Sequence, residues 1–158
     1  VVLIATHRKA LIALQGLFKD RVVTKKYLTL LSGVLPQAQI IVDQPLKKIR
    51  DKSGQHRVIV DPMGQTAKTT ITVLEQFREA AYCEVAIETG RMHQIRAHAA
   101  SIGHAVVGDE RYNLETPPRG LKRLFLHAHQ LTLPLTDPRI ISAPLPDELS
   151  QFLNGLRG

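Results

Sequence analysis

Only one of the 158 residues is a cysteine, so an internal disulfide framework and a thiolate metal cluster are both excluded. That residue, Cys83, sits in an apolar alternating stretch, and a reducing, cytoplasmic setting is the expectation. No apolar run approaches the roughly 20 residues that cross a bilayer, and Val1 to Ala5 lacks the charged leader of a signal peptide, so no membrane partner is expected. A glycine-rich phosphate cradle and a Gly-x-Ser-x-Gly elbow are also missing, which removes support for nucleotide hydrolysis and acyl transfer. The histidines do not make a metal set. His93 and His98 miss the i, i+4 spacing of one helix face, and His127 and His129 have no third ligand at a suitable distance in sequence. No metal and no cofactor is expected. There is no internal repeat, low-complexity tract or linker.

What the chain has in excess is positive charge: 21 Lys and Arg against 14 Asp and Glu, a formal +7, with an isoelectric point near 9.9. Such an excess concentrates phosphate ligands and points to a polyanion. With 44% hydrophobic residues the chain is globular, one domain over residues 1–158, able to bury about 70% of its unfolded surface. A monomer is expected.

Periodicity then orders the chain. Val1 to Ala5 reads as a strand. Thr6 can cap a helix burying Leu11, Leu14, Leu17 and Phe18. Strands are predicted at Lys25–Val34, Ile40–Asp43, Arg57–Val60, Lys68–Phe77, Tyr82–Glu88, Leu124–Leu133 and Arg139–Ser142, the last two joined through Thr136 to Pro138. Lys47, Lys48, Arg50, Asp51, Lys52 and Gly54 form a basic loop, either a solvated hairpin tip or a contact for an RNA backbone. Asn113 to Gly120 is a loop. Asp147 can cap a last helix burying Leu149, Phe152, Leu153 and Leu156. The class is α+β, a mainly antiparallel mixed sheet with flanking helices.

The chemistry concentrates in Glu88-Thr-Gly-Arg-Met-His-Gln-Ile-Arg-Ala-His98, where an alternating strand turns at Gly90 into a short helix. Arg91, His93, Gln94, Arg96 and His98 lie at its start, and backbone N–H and guanidinium groups together suit an anion.

The order Gly-Arg-x-His-Gln-Ile-Arg-x-His, followed by Ile102-Gly-His-Ala-Val-Val-Gly-Asp-Glu-Arg-Tyr112, closely resembles the signature of the RluA-type RNA pseudouridine synthases. Val23-Thr-Lys-Lys-Tyr-Leu-Thr-Leu-Leu31 is similar to that family's strand with a Lys-x-Tyr element, and Leu124-Phe-Leu-His-Ala-His-Gln-Leu131 to its strand near the C-terminus. The resemblance implies a catalytic domain that isomerises uridine in ribosomal RNA, with transfer RNA as the other candidate. It implies Tyr27 and Arg96 as catalytic residues, Tyr27 stacking on the extruded uracil and offering its hydroxyl for proton transfer. Taken alone, Tyr27 reads more readily as a tyrosine packed on a strand face, since tyrosine is enriched in strands anyway. Lys25, Lys26, Arg91, His93, Gln94, His98, Lys47 and Lys48 are the expected RNA contacts. The family's nucleophile is an aspartate in a His-Arg-Leu-Asp segment that feeds into an apolar strand, and Val1 to Ala5 resembles that strand. This chain is therefore expected to lack the nucleophile, to be inactive alone, and to leave Arg96 without its carboxylate. A non-catalytic RNA-binding fragment is the alternative.

Overall fold

The computed structural model describes residues 1–51, 54–113, 121–135 and 139–158. In chain order it contains α1 (Arg8–Lys19), β1 (Thr24–Ser32), β2 (Gln39–Asp43), β3 (Leu46–Arg50), β4 (His56–Val60), β5 (Lys68–Gln76), β6 (Ala80–Ile87), α2 (Gln94–Ser101), β7 (Leu126–Leu133), β8 (Arg139–Ser142) and α3 (Asp147–Arg157). Six strands form one sheet in the order β2-β5-β6-β1-β7-β8, and β3 with β4 forms a separate hairpin. Every one of these pairings is antiparallel. The α+β class expected from the sequence is the one observed.

Alternation builds the two faces of the sheet. In β6, Cys83, Val85 and Ile87 are buried while Tyr82, Glu84 and Ala86 are only partly covered. The next-door strand β1 carries Leu30 and Leu31, consecutive and both buried, so both of its faces are covered. Leu31 packs with Ile71, Val85 and α2 residues Ile95 and Ala99, and Leu30 packs with Phe125 and α3 residues Leu149 and Leu153. One helix thus covers each face. A third, smaller cluster of Leu46, Val58, Ala67, Ala97 and Tyr112 fastens the β3–β4 hairpin to α2.

Four expectations are corrected. Val1 to Ala5 keeps an alternating exposure, with Val2 and Ile4 more than four-fifths exposed, but forms no strand because it enters no hydrogen-bonded ladder. The helix α1 has no fully buried residue, and its cap is His7, whose Nδ1 accepts the Ala10 N–H at 3.1 Å; Thr6 does not cap it. The basic loop is largely strand β3, because Leu46 and Val58 reach the third cluster and draw the intervening lysines into a ladder; Lys52 lies outside the described residues. The last helix starts from Pro146 with no side-chain cap, and Asp147 is its first residue. The expected turn at Thr136 to Pro138 and most of the Asn113 to Gly120 loop lie outside the described residues.

Phe125 is completely buried, with Tyr82 and Phe152 rings 6.3 and 6.2 Å away. Its carbonyl also accepts from the Leu30 N–H and the Thr29 hydroxyl. We expect Phe125→Ala to lower the unfolding free energy by about 3–5 kcal/mol in urea denaturation. A loss under about 1 kcal/mol would show that the α3 face carries little of the stability.

Candidate active site

Tyr27 lies on β1 between Val85 of β6 and Ala128 of β7, where the β1–β7 register slips between Lys26 and Tyr27. The slip re-aims the strand at the position of the tyrosine, a common use of an irregularity beside a site. Tyr27 and Arg96 line one cleft of about 210 Å³, with Ile87, Ile95 and Leu126 as its apolar lining, Arg91 and His93 beside them and the buried Gln94 behind. Burial pushes the Tyr27 phenol up from its usual value, so it enters the cleft as a neutral O–H.

Arg96 is not left without a carboxylate. Its Nε and Nη2 donate to Asp109 Oδ2 and Oδ1, both at 2.7 Å, a bidentate pair in which the Asp109 side chain is wholly buried and that of Arg96 is 17% exposed. Asp109 Oδ1 also accepts the backbone N–H groups of Arg111 and Tyr112. Burial pushes this carboxyl up, but the Arg96 hydrogen bond and charge together with those two amides outweigh it and hold the pKa below the usual carboxylate value. The expectation of a partnerless Arg96 fails because a turn thirteen residues downstream folds back onto α2.

Two of the polar residues at the helix start are internal posts. Gln94, 2% exposed, accepts from the Thr89 hydroxyl and the Arg91 N–H and donates to Lys68 O and Thr69 Oγ1. His98 is completely buried between Thr69 Oγ1 at 2.8 Å and Gln44 O at 2.9 Å, and burial lowers its pKa. With every polar atom engaged, neither is presented to an RNA backbone. Lys25 is corrected in the same way: it is buried, donates to Val23 O at 2.9 Å and lies near the Phe18 ring. The Gln94 side chain accepts the Arg91 amide just ahead of the helix, and the N-cap residue His93 makes no side-chain cap to the helix amides.

The remaining expected contacts are accessible. Lys26 pairs with Glu84 at 2.9 Å, and Lys47 with Asp61 at 3.1 Å. Arg91 Nε donates to Thr66 O, and Arg91 lines both the Tyr27 cleft and a second depression that includes Lys47 and Lys48. On the other side, His93 and Arg96 are shared with a depression of about 410 Å³ lined also by Arg111, Lys122 and Arg123.

Residues 1–101 match the profile of a protein family described as RNA pseudouridylate synthase. The chain belongs to the RNA pseudouridine synthase family. Its curated relatives include the ribosomal large subunit pseudouridine synthase C of Vibrio vulnificus (strain CMCP6), 36% identical over 99% of this chain and 51% of that protein, and that of Haemophilus ducreyi (strain 35000HP / ATCC 700724), 34% identical over 99% and 52%. The chain spans about half the length of the curated relatives it matches. Among solved structures, human RNA pseudouridylate synthase domain containing 1 superposes with a TM-score of 0.78 at 26% identity, over 97% of this chain and 73% of that one.

For a member of this family, sequence reasoning left five site residues without a role: Asp109, Arg111, Tyr112, Lys122 and Arg123. The first three stand in the Gly-Asp-Glu-Arg-Tyr motif, so a signal was there, but only the folded turn shows what each touches. Gly108 sets that turn. Its φ is +78°, and a Cβ would strike the Arg123 carbonyl, so the backbone passes directly against residues 121–124. Among the described residues no three His, Cys, Asp or Glu side chains gather as metal ligands; His127 and His129 both reach the Ala143 carbonyl. Burial pushes the Cys83 thiol up to about 12, which leaves it unreactive at neutral pH.

The depressed Asp109 pKa fixes a sign. Its contribution to stability is complete above the unfolded value of about 3.9 and is lost as pH falls through the lower folded value. Asp109→Asn should cost on the order of 3–5 kcal/mol at neutral pH, because Arg96 loses its counter-charge. The variant should also show a shallower loss of stability below about pH 4 than the wild type. Parallel acid limbs would mean that other carboxylates govern acid unfolding.

Proposed function

We propose that the protein isomerises uridine to pseudouridine in RNA, with large-subunit ribosomal RNA the first candidate substrate and transfer RNA the second. In this reading the chain supplies the wall of the site that carries Tyr27 and Arg96, and a carboxylate nucleophile comes from residues upstream of Val1. The observation that carries it is that Tyr27 and Arg96, distant in sequence, share one small cleft with an apolar lining. A flipped pyrimidine needs such a water-poor pocket with an aromatic face.

The reaction breaks the bond between ribose C1′ and uracil N1, turns the base over and joins C1′ to C5; N1 gains a proton and C5 loses one. No redox partner is required. Among the described residues the cleft lining includes no carboxylate, and Asp109 is committed to Arg96. Arg96 still has spare donors. Asp109 takes Nε–H and one Nη2–H, which leaves the Nη1 hydrogens and the second Nη2 hydrogen to orient another carboxylate. The neutral Tyr27 O–H stands on the same cleft for proton transfer with the base. Because the cleft as described holds no carboxylate, the second reading, a non-catalytic RNA-binding chain, is the one we favour for residues 1–158 taken alone. A cytoplasmic monomer is our proposal for its state.

The cleft is flanked on one side by Arg91, Lys47 and Lys48 and on the other by Arg111, Lys122 and Arg123. We therefore expect RNA binding with a steep salt dependence, each phosphate neutralised adding about 0.7–0.9 to the log–log slope. Lys47→Ala with Lys48→Ala, or Lys122→Ala with Arg123→Ala, should weaken binding and flatten that slope in filter binding. An unchanged slope would return those lysines and arginines to the solvated surface.

Chemistry is tested by following nucleoside conversion chromatographically. Residues 1–158 should convert nothing, and a chain extended upstream through the aspartate should be active. In the extended chain Arg96→Ala should abolish most turnover and Arg96→Lys should restore little, since an ammonium lacks the planar fork. Tyr27→Phe should cut turnover far more than RNA affinity. Conversion by residues 1–158 alone would place the nucleophile among the carboxylates already present.

A further inference from the structure

His93 and Tyr112 form a hydrogen-bonded couple whose geometry dictates a tautomer. The Tyr112 ring is buried, and its hydroxyl oxygen accepts the Val58 N–H at 2.8 Å and lies 3.1 Å from His93 Nδ1. A phenol has one hydrogen to give. Were it to accept from both neighbours, that hydrogen would be left in the interior without an acceptor. The arrangement that satisfies all three groups has Val58 donating to Tyr112 and Tyr112 donating to His93 Nδ1, so that His93 carries its proton on Nε2. Ring contacts enforce the same alignment: the two rings meet edge to face at 5.7 Å and 89°, and the guanidinium carbons of Arg96 and Arg57 lie 4.9 and 5.3 Å from the Tyr112 centroid.

His93 itself is held in an unusual state. Its backbone is left-handed, φ 51° and ψ 23°, a region uncommon outside glycine that histidine, like asparagine and aspartate, enters more often than most side chains. Its ring lines both the Tyr27 cleft and the depression of Arg111, Lys122 and Arg123, and among the described residues no group bonds its Nε2. The charged groups around the ring are Arg96 on α2, and Arg111 and Asp109 on the turn that follows. Burial and then the two arginines lower its pKa, against a smaller opposing pull from Asp109. The imidazole therefore works as a neutral donor in a depression lined by Arg96, Arg111, Lys122 and Arg123 against the carboxylates of Asp109 and Glu110, and Asp109 is already paired with Arg96, so the setting stays positive and favours an anionic oxygen.

We propose that Tyr112 is a positioning residue that locks His93 as the Nε2–H tautomer, and that His93 Nε2–H donates to a phosphate oxygen of the bound strand where the cleft meets the basic depression. The phosphate assignment rests on the RNA reading given above; the tautomer assignment does not. It goes beyond charge complementarity because it assigns one directed donor and the residue that aims it.

The test uses residues 1–158 with nitrogen-15 in the histidines, read by long-range proton–nitrogen correlation at neutral pH. The His93 signals are identified by their loss in His93→Asn, asparagine being tolerated in a left-handed position. We expect the wild-type His93 pattern of a protonated Nε2 and an unprotonated Nδ1, and a mixture of tautomers in Tyr112→Phe, which keeps the ring over both guanidiniums. A wild-type Nδ1–H pattern overturns the proposal outright, even if Tyr112→Phe fails to fold. A folded Tyr112→Phe with an unchanged His93 pattern overturns the role of Tyr112. Titration with inorganic phosphate should shift His93 Nε2, whereas uridine without a phosphate should not. A shift with uridine alone would make the acceptor a base or sugar oxygen, and no shift with either would remove His93 as a donor. Absence of RNA binding even at the lowest salt, with the tautomer intact, would sink the RNA reading and leave the Tyr112–His93 couple standing.

Discussion

A buried carboxylate must collect donors or give up its charge, and Asp109 collects four: two from the Arg96 guanidinium and the backbone amides of Arg111 and Tyr112. Much of the site follows from that constraint. The pair ties the 108–112 turn to α2, the turn sets Tyr112 over the third hydrophobic cluster, and Tyr112 in turn holds Val58 of the β3–β4 hairpin and His93 at the rim of the cleft. Arg111 closes the circuit from the other side by donating to the His56 carbonyl of the same hairpin. A single ion pair with its amides thus connects the helix that carries Arg96, the hairpin that carries Lys47 and Lys48, and the basic depression.

The helix α2 divides its polar residues between support and exposure. Gln94 and His98, one turn apart, turn inward to β5 and the β2–β3 connection through Thr69, Lys68 and Gln44. Gln44 O can only accept, so His98 donates from Nε2 and takes the Thr69 hydroxyl hydrogen at Nδ1. A fully satisfied network of this sort rigidifies what it spans. Arg96 between them, and His93 ahead of them, are left to face the cleft. Residues that look interchangeable in the motif are therefore placed differently: one pair keeps the helix in place and the other lines the cleft.

The sheet supplies the remaining geometry. Its central strand β1 is covered by α2 on one face and α3 on the other, which makes Tyr27 part of a rigid element, and the register slip beside it turns that rigidity toward the cleft. By contrast, α1 and residues 1–5 lie on the rim with Val2, Ile4, Leu11 and Phe18 exposed, and contribute no fully buried core residue.

Strands with period-two alternation, β5 and β6, were legible to within one or two residues at their ends, because a half-buried strand imposes that pattern on its own sequence. The family was legible too, since its motifs survive as an ordered string. β3 was not: Lys47, Lys48 and Arg50 carry little strand signal, and only the burial of Leu46 and Val58 beneath α2 makes the ladder worthwhile. Nor was the cover of α1, whose apolar stripe is present but meets too little surface to bury it. The site shows the same boundary. That Tyr27 and Arg96 line one cleft was foreshadowed by the resemblance of their motifs, whereas the partner of Arg96, the internal placement of Lys25, Gln94 and His98, and the couple of Tyr112 with His93 were not. Sequence by itself determined which side chains are available and the local periodicity that places them on strand or helix. Tertiary structure alone decided which of them are buried and which donor meets which acceptor, because desolvation and hydrogen bonding act between groups that only the folded chain brings together.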